Sequence, residues 1–163
     1  MSYEKVTSQV IIDLMNNTDL PEVLDIERES FPSPWTEGMF ARELGSTHSV
    51  CLAARINVEE KNVIVAYIIF WLVADEVHLH NLAVKNEYRR QGLAFNLMEA
   101  MAEIAGKNEI TDQTLEVRRS NTEAIKLYEK CGFVVKGIRP LYYTDTHEDA
   151  LVMWADLENI KHS

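Results

Sequence analysis

The chain has 163 residues, 47% hydrophobic and 26% charged, which fits one globular domain over residues 1–163 and is short for two. Its Lys and Arg number 16 against 26 Asp and Glu, a formal net charge of −10. That balance excludes a generic nucleic-acid or anionic-membrane binder, which needs a basic face. Cys51 and Cys131 form no CxxC pair and read as reduced thiols of a cytoplasmic protein. Residues 1–5 lack the basic-then-apolar start of a signal peptide. The longest apolar run, residues 63–74, is far below the roughly 20 residues of a transmembrane helix and is rich in strand-forming types.

In chain order, residues 6–15 start as a strand. Thr18 caps a short helix from about Asp19, with Pro21 tolerated in its first turn. Phe31-Pro32-Ser33-Pro34-Trp35 breaks the chain, and a second short helix through Phe40 and Leu44 stops at Gly45. Residues 48–56, 63–73 and 77–84 read as three strands, with a tight turn at Asp75-Glu76. Residues 91–105 read as an amphipathic helix, with Leu93, Leu97, Met101 and Ile104 at helical spacing. After a short strand over 114–117, Ser120-Asn121-Thr122-Glu123 reads as a capping box. The helix it opens carries Ile125, Leu127, Tyr128 and Cys131 and ends at Gly132. Residues 133–143 and 150–154 supply the last strands. The sum is a mixed α/β (α+β) domain with one main sheet.

Residues 81–94 run from a strand through a polar loop into a helix. Arg89, Arg90 and Gly92 lie in the loop, and Ala94 in the first helical turn. A helix N-terminus offers unpaired N–H groups and partial positive charge to a phosphate, and small residues let it approach the backbone. The loop is neither GxGxxG nor a P-loop. On these residues alone an ordinary basic loop is the commoner reading.

Arg89-x-x-Gly92-x-Ala94 after a strand is similar to the R/Q-x-x-G-x-G/A signature of the GNAT superfamily of N-acetyltransferases. The resemblance continues through Phe31-Pro32-x-x-Trp35, Asn81-Leu82-Ala83-Val84, Leu115-Glu116-Val117-Arg118-x-Ser120-Asn121, Ala124-Ile125-x-Leu127-Tyr128-Glu129-x-x-Gly132-Phe133 and Tyr142-Tyr143 with Glu148-Asp149-Ala150. These look like the RimI branch, which acetylates the N-terminal alanine of a small-subunit ribosomal protein. The resemblance implies the GNAT acyl-CoA N-acyltransferase fold: a mixed central sheet with splayed central strands, flanked by helices. It implies acetyl-CoA as co-substrate, no metal, and a protein N-terminus as acceptor. That acceptor would be a basic ribosomal protein, with neither nucleic acid nor membrane as a partner. Leu82, Ala83 and Val84 would offer backbone groups to the pantetheine arm. Arg90, Gln91, Gly92, Leu93 and Ala94 would cradle the diphosphate, with Arg89 opening the signature and Asn121 binding the cofactor arm. Glu116 would be the general base and Tyr128 the general acid. Phe95 departs from the pattern, because a basic residue usually follows the signature there.

The residues themselves leave alternatives open. Glu116, between Leu115 and Val117, is either a solvated surface carboxylate or faces a cleft, where its pKa would rise toward a useful base value. Tyr128, among apolar helix positions, fits a core residue or an acid. His78 and His80 share a strand face; strand packing or a sheet-surface position is favoured over a metal pair. Cys131 reads as a buried small hydrophobe. Trp35, Tyr142 and Tyr143 either line a peptide groove or, for Trp35, anchor a helix. A lysine, polyamine or other small-amine acceptor stays open, as does an idle acyl-CoA-binding module. Residues 1–30 hold Glu4, Asp13, Asp19, Glu22, Asp25, Glu27 and Glu29 against Lys5 and Arg28, half of the net charge. That region is expected to border the acceptor site and to attract a basic tail.

Overall fold

The computed structural model describes residues 1–156; the domain expected over 1–163 runs past that limit, and 157–163 lie outside the described residues. Eight strands form one sheet in the order β1-β2-β3-β4-β5-β6-β8-β7. They are β1 Glu4–Thr7, β2 Val10–Leu14, β3 Ser49–Val58, β4 Lys61–Val73, β5 Glu76–Val84, β6 Asp112–Arg118, β7 Val134–Tyr143 and β8 Glu148–Asp156. The helices are α1 Leu20–Ser30, α2 Glu37–Leu44, α3 Leu93–Lys107 and α4 Thr122–Lys130.

Three local readings are corrected. Residues 6–15 are not one strand, because Ser8 and Gln9 both take positive φ and fold β1 back on β2. Such a two-residue turn matches the strand twist, but without Gly or Asn it leaves no sequence signal. The start of the first helix is capped by Asn16, not Thr18. The Asn16 side chain accepts the Thr18 N–H at 3.0 Å, and Asp19 accepts the Asn16 N–H at 2.9 Å, closing a box around a 3₁₀ turn. At α4 the cap is Asn121 rather than Ser120, its Oδ1 accepting the Ala124 N–H at 3.2 Å.

The sheet buries both faces. On one, Leu97, Met101 and Ile104 of α3 and Tyr128 of α4 pack with Leu52, Ile68, Phe70, Leu115 and Val117. On the other, Val23 and Ile26 of α1 and Phe40 of α2 pack with Ala53, Tyr67 and Ile69. Fully burying each such aliphatic or aromatic side chain is worth about 1.5–3 kcal/mol, so the two layers hold the sheet rigid between them.

Two irregularities shape the middle of the sheet. Phe70 pairs with Leu79 and Ile69 with Asn81, so His80 is an extra residue, a β-bulge that re-aims the side chains on either side of it. The parallel pairing of β5 with β6 covers only Glu76, Val77 and His78 against Asp112, Gln113 and Thr114. Beyond His78 the two strands separate, as the splayed-strand expectation required.

Candidate active site

The opening between β5 and β6 leaves the β6-facing backbone edge of Leu82, Ala83 and Val84 without a ladder partner, while their other edge pairs with β4. Ala83 is buried toward α1, and Leu82 and Val84 pack over the α3 side.

The loop after β5 prepares a helix N-terminus. Arg90 has φ +63° and Gly92, the N-cap of α3, has φ +82°. A Cβ on Gly92 would meet nothing within 4 Å, so the glycine serves the left-handed backbone and leaves open space above it. The first N–H groups of α3 point into that space without intrahelical partners. The two arginines separate in role. Arg89 turns back into the protein, its Nε donating to the Val84 carbonyl at 3.0 Å and its Nη2 to Ser30 Oγ at 3.2 Å. Arg90 stays 88% exposed with a long 3.4 Å contact to Glu123. Beside the loop is a hollow of about 460 Å³, with Gln91, Gly92, Leu93, Phe95 and Lys130 in its wall. Lys130 is a cation that no sequence motif singles out, because it arrives from the end of α4.

Glu116 leaves β6 on the α1–α2 side of the opening, and its side chain is only 11% exposed. His78 Nε2 lies 2.6 Å from Glu116 Oε2, and an Arg139 nitrogen lies 3.4 Å from Oε1. The His78 hydrogen bond outweighs the opposing effect of burial, and with Arg139 it holds the Glu116 carboxyl below its ordinary range. The expected rise in its pKa is therefore corrected: the cleft buries Glu116 but also supplies two partners for its negative charge. The packing reading of the two histidines fits His80, whose ring stacks on Trp71 at 4.0 Å. His78 takes the sheet-surface position, its side chain 31% exposed, and pairs there with the Glu116 carboxylate. Among the described residues no group of three His, Cys, Asp or Glu side chains is placed to hold a metal ion.

Tyr128 is buried in α4 beside Phe133, on the opposite side of the sheet from α1 and α2. Burial, reinforced by Tyr143 and Cys131, pushes its phenol well above the ordinary value, so it is protonated at neutral pH. Asn121 is exposed and uses Oδ1 as the α4 cap, which leaves its Nδ2 outside that bond.

The walls are tied together. Asp145 accepts two 2.8 Å bonds from Arg118 and one of 2.9 Å from Ser33, joining the β7–β8 turn to the 31–35 segment. Trp35 packs on Phe40 at 5.1 Å, an anchor for α2, while Tyr142 is 49% exposed and meets Tyr143 edge-on. Arg118 lies 4.1 Å over the Tyr143 ring, whose hydroxyl burial pushes up to about 12. Beneath them Glu27, 1% exposed, accepts from Tyr67 and Asn81 at 2.6 Å each and from the Trp35 N–H at 3.2 Å.

The acidic N-terminal region is less free than its residue count suggests. Asp13 and Asp19 pair with Arg55, Glu22 accepts the Ile64 N–H, and Glu29 accepts the Asn86 N–H.

A strand edge without a ladder partner, open space over a helix N-terminus and cations beside it fit the pantetheine arm and diphosphate of acetyl-CoA. Residues 20–133 match the Acetyltransferase (GNAT) family. The chain is 38% identical over 143 residues to a Bacillus subtilis relative, covering 88% of this chain and 93% of the relative. It is 37% identical over 144 residues to the [ribosomal protein bS18]-alanine N-acetyltransferase of Escherichia coli, covering 87% and 94%. The crystal structure of the E. coli ribosomal-protein-S18-alanine N-acetyltransferase superposes with a TM-score of 0.80 at 35% identity, over 91% of this chain and 94% of that one. With the site's geometry and these matches in agreement, the chain belongs to the GNAT family and is an acetyl-CoA-dependent acetyltransferase.

Proposed function

We propose that the chain acetylates the N-terminal α-amine of a protein, and that its acceptor is the N-terminal alanine of ribosomal protein bS18. The observation that carries this reading is Glu116, a nearly buried carboxylate at the β5–β6 opening, in a chain related over nearly its full length to an enzyme named for that acceptor. Acetyl-CoA supplies the activated thioester carbonyl when bound. The β5 edge at Leu82, Ala83 and Val84 holds the cofactor arm, and the amides of Arg90, Gln91, Gly92, Leu93 and Ala94 hold the diphosphate. Arg89 braces that loop from behind, and Asn121 Nδ2 faces the arm. Glu116 accepts the proton of the attacking amine. Tyr128, kept protonated by burial, gives a proton to the departing sulfur. A thiol pKa of about 8.5 makes that second transfer undemanding.

Chemistry favours the α-amine as acceptor. With a pKa of about 7.7–8.0 it is roughly 10–15% neutral at pH 7, whereas a lysine near 10.4 is below about 0.1% neutral. A base whose pKa is held low suits the less demanding amine. Unbridged Cys51 and Cys131 support a cytoplasmic enzyme. The net −10 supports a basic acceptor, so added salt should raise KM for a basic peptide.

Purified protein given acetyl-CoA and a peptide with the Ala-initiated N-terminus of bS18 should release CoA and add one acetyl group to that terminus. The same peptide with a blocked N-terminus should stay unmodified. Modification of the blocked peptide at lysine, or turnover on a polyamine alone, would replace this reading.

A further inference from the structure

We propose that the last turn of α1 is a positioning element that links the two halves of the site. Through Ser30 and Glu29 it carries the binding of the acetyl-CoA diphosphate at the α3 loop to the 31–35 segment, so cofactor and acceptor bind with positive coupling. This rests on the acceptor reading above, in which the amine reaches Glu116 from the α1–α2 side. The ties are direct. Arg89 spans from the β5 edge to the helix, its Nε donating to the Val84 carbonyl at 3.0 Å and its Nη2 to Ser30 Oγ at 3.2 Å. Ser30 Oγ in turn donates to the Ile26 carbonyl at 2.6 Å, which leaves its lone pairs for Arg89. Glu29 Oε1 accepts the Asn86 N–H at 2.8 Å, at the start of the same loop.

The same turn holds the acceptor side. Glu27 lies three residues before Ser30 on one helix face, and its Oε2 accepts the Trp35 N–H at 3.2 Å. Its Oε1 accepts from Asn81, the residue just ahead of Leu82, at 2.6 Å. Phe31 ends α1 in an extended conformation, and its N–H still bonds the Glu27 carbonyl at 3.1 Å. The 31–35 segment thus starts directly after Ser30, and Ser33 within it bonds Asp145 at 2.9 Å. A displaced α1 end therefore disturbs contacts on both sides of the site.

The loop needs that support. Arg90 at φ +63° and Gly92 at φ +82° are both left-handed, and for Arg90 that conformation is intrinsically disfavoured. The shape that meets a diphosphate therefore depends on contacts outside the loop, and Arg89 and Asn86 make them. A ligand that needs this shape stabilises it together with the ties to α1. Residues 27–36 are then already ordered when the acceptor arrives, which couples the two sites through shared ordering. Linkage makes the effect reciprocal: the acceptor must tighten the cofactor by the same factor.

Calorimetry with CoA, which binds without turnover, and the Ala-initiated bS18 peptide measures the coupling. In wild type, saturating CoA should tighten the peptide by about 5- to 150-fold, and saturating peptide should tighten CoA equally. Glu29 is exposed and Ser30 half-buried, so the double variant Glu29→Ala/Ser30→Ala keeps its fold. In it each ligand alone should bind within about 10-fold of wild type, while the coupling factor falls to within about 2-fold of unity. Glu29→Gln, whose amide oxygen still accepts the Asn86 N–H, should keep the coupling. A second measurement needs CoA alone. In hydrogen exchange read by NMR, CoA should slow the Phe31 and Trp35 N–H groups in wild type and not in the double variant. Coupling below about 2-fold in wild type, undiminished coupling in the double variant, or CoA protection of Phe31 and Trp35 that survives there would each overturn the proposal. Failure of wild type to acetylate the peptide would instead overturn the acceptor reading, and the exchange measurement would still decide the linkage.

Discussion

Glu27→Ala should be among the most damaging single substitutions outside the reacting groups. The Glu27 carboxylate is 1% exposed and accepts from Tyr67, from Asn81 and from the Trp35 N–H. Tyr67 and Asn81 are themselves buried, so truncation leaves two donors without water or partner. Each costs about 1–3 kcal/mol, and the vacated volume adds to the loss. A total of about 4 kcal/mol is a large share of the roughly 5–15 kcal/mol that holds a domain folded. With a urea m-value of about 2 kcal/mol/M, the unfolding midpoint should drop by about 2 M. Glu27→Gln should cost far less, about 1–2 kcal/mol. Its amide oxygen still accepts from Tyr67 and Asn81, while its NH₂ opposes only the Trp35 N–H. Urea unfolding followed by Trp fluorescence measures both. A loss below about 1 kcal/mol in Glu27→Ala, or equal losses in the two variants, would refute the argument that unsatisfied buried donors dominate. The same carboxylate ties α1 to β5 and to the Trp35 segment, so surviving Glu27→Gln protein should show a raised KM for peptide.

Other outcomes follow from the same structure. His80 has a folded pKa of about 4, below the roughly 6.5 of an unfolded histidine, so its contribution to stability is full above pH 6.5 and lost as pH falls toward 4. His80→Phe should flatten that window and raise Tm at pH 5 by roughly 2–4 °C, read by thermal melts at pH 5 and 7. For Asp19, burial disfavours the charge, but the bonds from Arg55 and from the Asn16 N–H outweigh it and lower the pKa. That stability is complete above about pH 4 and lost as pH falls through the folded value, so Asp19→Asn should unfold with less dependence on pH below 4. Gly92→Ala should cost about 1 kcal/mol, since φ is +82° and no atom blocks a Cβ. Its acetyl-CoA affinity by calorimetry should fall by more than that backbone cost, because the methyl enters the open space over α3; unchanged affinity would place the diphosphate elsewhere.

The sequence by itself determined the elements whose signal is local. Leu93, Leu97, Met101 and Ile104 marked the buried face of α3, and Gly45 the end of α2. The three long strands were legible because apolar runs of that length, bounded by turn residues, fit little else. The signature 89–94 was legible as residues, but not the division in which Arg89 braces the loop and Arg90 stays exposed beside Glu123. The β1–β2 turn was invisible because Ser8 and Gln9 are not residues that advertise positive φ. Only the tertiary structure decided what surrounds Glu116. His78 and Glu116 are separated by the whole of α3 in the chain, and they meet because β5 and β6 are paired up to His78 and no further. A pKa depends on such through-space neighbours, so alternation along β6 could place Glu116 in a cleft but could not say that a histidine and an arginine would hold it charged.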